Sequence, residues 1–574
     1  MSEAFDPSPE QRKIIEAALV GQQVIACAGS GKTATAVRRL AEIRRQMGAS
    51  RQYAALLSYS NVAVDTFRAE YTALTAAQPG LSSRVLICTV DSFVASHILA
   101  PHAAPTMQCI GRPYLVHGHE PFLKGFTFFN GTYGEEIHNL SITFSASEGW
   151  QYFNTALRGK AVSVDSSVAV AAIRKLGKTG AYTHEIGRYW ALKALVDRPR
   201  LLQILSHRYP YLLVDEAQDI GSVHGALLQV LIEAGSTVSL VGDPNQAIYE
   251  FANADGSFLR DFDPGTDGLK QSLLENRRSI QSLVDVTNKL GGTSYSATRS
   301  TPSRKCGPFL LTYQDTELAK IRSTFAELLA SHGHSHESAA VLCRARDTVP
   351  LIAGAGDQWG QGATEHFARA ALCRDRRGDI ADAFVHAVDG VIRLLASPPA
   401  TLRSAVLGGS AEIPARALRR LIWAFLRSPT IGLPSASRKA KTDWLPALKL
   451  RLNGLLADIG VQCGLARSPK WTYAVTAKLL SDAPLWAQDL ASTNAPLPEV
   501  KTVHQAKGQS IDAVLYVLRP KDVKNLLDGP VDEEGRIGYV GLTRARDLLL
   551  VAVPSTTKPA ALKKFNDIGF TYWS

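Results

Sequence analysis

The chain has 574 residues, 45% of them hydrophobic and 20% charged, with a net charge of +11. That is too long for one core and too mixed for a disordered or fibrous chain, so several globular domains are expected. No run of about eighteen uncharged apolar residues occurs, which argues against a membrane span. The polar start, residues 1–11, does not read as a signal peptide, so a cytoplasmic protein is expected.

In chain order, Pro7-Ser-Pro-Glu-Gln11 reads as a capped helix start. Gln23-Val-Ile-Ala-Cys-Ala-Gly-Ser-Gly-Lys-Thr33 begins as a short apolar strand and ends in Gly-Ser-Gly-Lys-Thr; a helical pattern follows from Ala34 to Arg45. This is the strand–loop–helix setting of a phosphate-binding P-loop. Gly29 and Gly31 let the backbone curl so that successive N–H groups, from Ala28 to Thr33, face one point. Lys32 would reach the β- and γ-phosphates of ATP, and Thr33 would hold Mg²⁺. Ala26 replaces the usual first glycine.

A P-loop needs carboxylates at the end of another strand. Tyr211-Leu-Leu-Val-Asp-Glu-Ala-Gln-Asp219 supplies them after an apolar run of the buried parallel type. Asp215 would hold Mg²⁺, and Glu216 would act as general base on the attacking water.

The Asp215-Glu-Ala-Gln-Asp219 segment resembles the D-E-x-Q-D motif of the UvrD/Rep/PcrA superfamily 1 helicases, and further segments resemble that family's motifs in order. The resemblance implies a role for a residue in each of them. Gln11 would read the adenine edge, since an amide presents donor and acceptor together. Leu56-Leu-Ser-Tyr-Ser-Asn61 resembles T-F-T-N, placing Tyr59 and Asn61 on single-stranded DNA. Ile87-Cys-Thr-Val-Asp-Ser-Phe93 resembles T-x-H-S-F, with Thr89 and Ser92 on the DNA backbone and Asp91 where the family has histidine.

Val238 to Phe251 resembles G-D-x-x-Q-x-I-Y-x-F/W: Gln246 would sense the γ-phosphate, and Tyr249 and Phe251 would stack on bases. Ala252 stands where arginine is common. Leu274 to Ser279 resembles N-Y-R-S, with Arg278 on the γ-phosphate and Arg277 where a tyrosine stacks on adenine. Ala340 to Arg346 resembles the strand A-I-L-x-R, and Lys501 to Gly508 resembles T-x-H-x-x-K-G, with Thr502 and His504 on the DNA backbone. Ser510 stands where the family has the ribose-binding glutamate. Tyr539 to Arg546 resembles Y-V-G/A-x-T-R-A, with Arg544 as arginine finger.

The fold implied is α/β: two RecA-like parallel-sheet P-loop motor domains, each with a largely helical insertion. The first motor (1A) takes 1–95 and 197–270, with insertion 1B at 96–196. The second (2A) takes 271–365 and 490–574, with insertion 2B at 366–489. Phe122 to Phe153 reads as partly strand and Ala411 to Arg427 as helix. Residues 401–470 carry twelve Lys or Arg against three acids, so 2B is basic.

The activity implied is ATP-dependent 3′–5′ movement on single-stranded DNA and at single-strand/duplex junctions, with unwinding. The alternative is a DNA-dependent ATPase that translocates or signals without unwinding, bound to a partner nuclease through the basic insertion. Fewer than thirty residues follow Asp547, so cutting is expected only from a separate chain. Divergent helicases of this size serve DNA repair, and also occur beside OLD-family nucleases in Gabija-type antiviral defence. The seven cysteines, from Cys27 to Cys463, form no C-x-x-C pair and read as free thiols. His332, His334 and His336 lie on a loop that fixes no metal geometry.

Overall fold

Short apolar runs rich in Val, Leu, Ile and Ala become two six-stranded parallel sheets. The computed structural model describes residues 6–573 except 77, 117–120, 130–133, 157–160, 249–253, 354–360, 400, 409–413, 479, 481 and 491–496. The first sheet contains β1 (Gln22–Ala26), β2 (Ala54–Ser58), β3 (Val85–Thr89), β4 (Tyr211–Val214), β5 (Thr237–Gly242) and β6 (Leu269–Leu273), in the spatial order β6-β1-β5-β4-β2-β3. Every pairing is parallel. Strands buried on both faces explain why β2 and β4 read as continuous apolar runs rather than alternating ones.

The second sheet contains β7 (Gly307–Tyr313), β8 (Ala339–Cys343), β9 (Glu499–Thr502), β10 (Ile511–Val517), β11 (Ala545–Pro554) and β12 (Thr571–Tyr572). Its order is β9-β8-β10-β11-β7-β12, again parallel throughout. The expected α/β class with two parallel sheets is borne out. Ile14, Leu40, Leu56 and Leu213 pack the first core, and Leu342, Val514, Leu549 and Phe565 pack the second.

The chain divides into two compact units, 1–113 with 140–349 and 498–574, and 114–139 with 350–497. Both six-stranded sheets lie in the first. Of the residues expected as insertion 1B, 96–113 and 140–196 fall in the first unit and 114–139 in the second. In the first unit, Leu140–Ser145 and Gly149–Asn154 form an antiparallel hairpin. Its Trp150 packs against Tyr189 of the helix His184–Asp197, ring centroids 4.6 Å apart.

The second unit is mainly helical, with a core of Phe367, Phe384, Leu418, Trp444 and Leu452. It also holds the antiparallel pair Thr127–Phe129 and Gly134–Glu136, so strand occurs in the aromatic-rich region as expected. The basic helix runs from Ala415 to Arg427. Part of the unit's arginine is internal scaffolding: Arg419 of this helix donates to the carbonyls of Val406 and Ala405, and Arg451, from the helix Leu445–Cys463, to those of Pro429 and Gly432. Arg416, Arg438, Lys439 and Lys441 are exposed. All seven cysteines are free. Among the described residues, Cys373, Asp382 and His386 form the one group whose donor atoms approach metal-ligand spacing. A thiol hydrogen bond from Cys373 to Asp382 and a one-turn Asp382–His386 pair account for it. His332, His334 and His336 form no such group.

Candidate active site

The carboxyl ends of parallel strands are where an α/β sheet exposes backbone N–H groups and builds ligand sites. The loop after β1 is such a place. Gly29 and Gly31 take φ of 74° and 81°, and the helix Lys32–Gln46 starts immediately after. A side chain at 29 would meet Arg278 Cβ at 2.5 Å, so glycine is required there twice over. Lys32 is buried and donates to the Cys27 carbonyl at 3.2 Å, folded back over its own loop.

The acids follow β4. Asp215 is buried, its N–H bonded to Leu57 O, and its Oδ1 has no hydrogen-bond partner among the described residues. Burial, then the neighbouring Glu216, push its carboxyl up to about 8. A buried carboxylate oxygen without a donor suits a cation. With Thr33 lining the same cleft, the residues present fit a hard divalent ion such as Mg²⁺.

Glu216 takes φ 53° and ψ 42°, a left-handed conformation that costs a non-glycine residue about 1 kcal/mol. Gln218 Nε2 donates to its carboxylate. Burial opposes its ionisation, but Lys32 and Lys507 hold its carboxyl below the usual range. It therefore stays a base.

The third loop follows β5. Gln246 Nε2 donates to Asp243 at 2.7 Å, and Gln246 Oε1 accepts from Arg544 Nη2 at 2.8 Å. Arg544, at the amino end of β11, is 1% exposed. Burial first, then Arg278, lower its pKa to about 9. Arg278 donates to Thr543 O, and its Nε is buried without a partner among the described residues. Arg277 donates its N–H to Gly29 O.

These groups line one cleft of about 720 Å³, with Gly29, Gly31, Lys32, Thr33, Asp215, Glu216 and Gln246 from the first sheet's loops. Arg544, Gln509 and Ser510 come from the second sheet's, and Arg277 and Arg278 from the strand Glu275–Ile280. Ala28 is buried in the loop, and Ser30 is buried with its carbonyl taken by Gln11. Gln11 is absent from the cleft wall. Its amide donates to Ser30 O and accepts from Ser8 N, closing a capping box, so the structure uses it to brace the P-loop.

The residues expected on DNA divide. Tyr59 and His504 line the cleft; His504 Nε2 pairs with Ile248 O at 3.1 Å. Asn61, Thr89 and Ser92 surround a second cavity of about 400 Å³ with Arg68, Ser96 and His97. The Thr89 hydroxyl caps a short helix through Ser92 N and bonds the Ser92 hydroxyl. Thr502 is buried, its hydroxyl engaged in a capping box with Gln505, so it is not presented to a DNA backbone. Tyr249, Phe251 and Ala252 lie outside the described residues. Lys507 and Asp219 received no role from sequence, yet both line the cleft and form a buried ion pair. Nothing in the residues flanking either one hints at a partner 288 positions away.

The family model described as UvrD/REP helicase N-terminal domain matches residues 8–111 and 179–266, and that described as UvrD-like helicase C-terminal domain matches 476–556. The chain is similar to the ATP-dependent DNA helicase UvrD2 of Mycobacterium tuberculosis, 27% identical over 373 residues, 59% of this chain and 46% of that protein. It is 31% identical over 156 residues to the putative ATP-dependent DNA helicase YjcD of Bacillus subtilis, 26% and 20% of the two chains. It is 40% identical over 82 residues to the RecBCD enzyme subunit RecB of Mycolicibacterium smegmatis, 14% and 7%. The matched stretch spans less than half the length of each of these relatives. With an N-terminal and a C-terminal family model both matched, and the P-loop, the acidic pair and the two arginines brought to one cleft, the chain is a divergent UvrD/Rep/PcrA-like one.

Proposed function

We propose that this chain is an ATP-driven DNA motor that moves 3′ to 5′ on single-stranded DNA and opens duplex at junctions. One observation carries the reading: Lys32, Thr33, Asp215 and Glu216 share a cleft with Arg278 and Arg544. Basic and acidic groups are thus arranged around a site of triphosphate size, with the two arginines supplied by a different part of the fold.

In this reading Lys32 and the P-loop N–H groups hold the β- and γ-phosphates. Thr33 and Asp215 hold Mg²⁺, which supplies charge neutralisation on the phosphates when bound. Glu216 takes the proton of the attacking water. Gln246 positions that water and passes the presence of the γ-phosphate to the second sheet. Arg278 and Arg544 stabilise charge on the transferred phosphoryl group. Because the γ-phosphate bonds residues of both sheets, its loss changes the affinity of one sheet for the other. Tyr59, Tyr249 and Phe251 provide stacking surfaces for the strand, and Asn61 and Ser92 take its phosphates. The first sheet belongs to motor 1A and the second to 2A. The biological setting is repair or anti-phage defence, the latter with a nuclease as partner.

The test is DNA-stimulated ATP hydrolysis and strand displacement on a 3′-tailed duplex. Lys32→Ala and Arg544→Ala are expected to lower hydrolysis by at least a hundredfold; full activity in either overturns the assignment. Unwinding of a 5′-tailed but not a 3′-tailed duplex overturns the direction.

A further inference from the structure

Asp91 stands where the related motif has histidine, and its surroundings explain what it does instead. Its carboxylate takes a two-point bond from Arg188, Nε to Oδ1 at 3.0 Å and Nη2 to Oδ2 at 2.9 Å. His224 Nε2 lies 3.0 Å from Oδ1, and His184 Nδ1 3.5 Å from Oδ2. Burial would raise its pKa, but the hydrogen bonds from His224 and Arg188 hold it well below the carboxylate range. Arg188 is anchored in turn by Glu185 at 2.9 Å. This charge is paired internally with Arg188, and a third of the side chain stays exposed.

His224 is 3% exposed and has both ring nitrogens engaged. An ionised carboxylate only accepts, so Nε2 carries the proton given to Asp91. Burial and Arg188 keep the ring neutral, leaving the Nδ1 lone pair as an acceptor. The Tyr59 hydroxyl fills it at 3.3 Å, and the two rings meet edge-on with centroids 5.6 Å apart. Tyr59 is thus tied at its hydroxyl, and the residue lines the cleft together with Ser60 and Asp219.

We propose that His224 is a positioning residue for strand recognition: it holds the Tyr59 ring as a fixed stacking platform, and Asp91 with Arg188 sets the His224 tautomer that makes the tether. The proposal rests on the stacking role of Tyr59 in the proposed function. It turns the histidine-to-aspartate change at 91 from a lost phosphate contact into an internal brace, with histidine supplied by another helix.

The experiment is fluorescence anisotropy of the full chain with a labelled oligothymidine, alongside thermal melts. Tyr59→Ala is expected to weaken binding roughly tenfold. Tyr59→Phe, which removes one oxygen and keeps the ring, and His224→Ala are each expected to weaken it about threefold. Combined, they should cost no more than either alone, since both cut the same bond. His224→Gln can donate to Asp91 and accept from Tyr59 at once, and should stay within about twofold of the parent. The proposal is overturned if Tyr59→Phe binds like the parent, if the two losses multiply, or if His224→Gln is as weak as His224→Ala. Tyr59→Phe keeps the proposal testable even where His224→Ala does not fold. If Tyr59→Ala binds normally, the stacking role itself falls and the brace falls with it; loss in Tyr59→Ala with multiplying losses elsewhere removes the brace alone.

Discussion

Lys507 Nζ lies 2.5 and 2.7 Å from the two carboxylate oxygens of Asp219, joining the loop after β9 to the loop after β4. Both side chains are nearly inaccessible, at 9% and 3%. Lys507 also donates to Gln246 O at 3.0 Å, so one ammonium ties the second sheet to two first-sheet loops. Lys507→Ala leaves the carboxylate buried and unpaired, which is expected to cost about 3–5 kcal/mol. The check is chemical denaturation of the parent and variant.

The same pair predicts a pH dependence. Burial outweighs Lys507 and pushes the Asp219 carboxyl up to about 6, against an ordinary value near 3.8. Between those values the folded state binds more proton than the unfolded one. Its contribution is therefore favourable below about pH 4 and is lost as pH rises to about 6. Asp219→Asn should remove this fall, flattening the stability profile over that window by about 2 kcal/mol relative to the parent. A parent and variant with parallel profiles between pH 4 and 6 would contradict the assignment.

Glu216 combines the proposed role of general base with a strained backbone. Glu216→Gln should keep ATP affinity within a few fold and cut hydrolysis by about 10²–10⁴, the usual range for a lost general base. Glu216→Gly should lose hydrolysis equally but gain about 0.5–1 kcal/mol of stability, because glycine adopts positive φ at no steric cost. Quenched-flow hydrolysis and melting curves separate the two effects.

Gly242 ends β5 against Gln218. A Cβ there would meet Gln218 Oε1 at 2.3 Å and Leu259 Cδ2 at 2.7 Å. Gln218 accepts from Asp243 N through that oxygen and donates to Glu216 through its nitrogen. Gly242→Ala should cost about 1–3 kcal/mol and also lower hydrolysis, since it displaces the residue that holds the base. Unchanged hydrolysis in a folded Gly242→Ala protein would show that Gln218 does not set Glu216.

The basic insertion has an exposed part and a structural part. Reversing Arg438, Lys439 and Lys441 to Glu should weaken duplex binding and lower the salt slope by about one per lost phosphate contact. Reversal at Arg419 would instead uncap carbonyls at Val406 and Ala405, and should show as lost stability. Binding isotherms across a salt series distinguish the two.

The P-loop and the Asp215–Glu216 pair were legible because each is local: strand, turn and helix are contiguous, and residue type alone dictates the chemistry. Arg278 and Arg544 needed the family resemblance, since nothing near them in sequence points to a phosphate. The capping roles of Thr502 and Gln11 were available in Thr502-x-x-Gln505 and Ser8-x-x-Gln11, patterns that read equally as binding motifs. The Asp91 brace was not legible. Arg188 lies 97 and His224 133 positions away, and only the fold brings a compensating cation and donor to that carboxylate. The scaffold work of Arg419 and Arg451 was hidden for the same reason: charge counts do not distinguish an arginine facing water from one closing a helix end.

Arg544 and Gln246 are hydrogen-bonded at 2.8 Å, so a phosphate that engages this guanidinium has to displace an amide. When the phosphate departs, the amide is close enough to recapture the arginine. In the proposed mechanism such an exchange would lower affinity for ATP and for the products alike, and ease the escape of phosphate. An arrangement of this kind favours rapid turnover over tight retention of nucleotide, as the proposed strand motor would need.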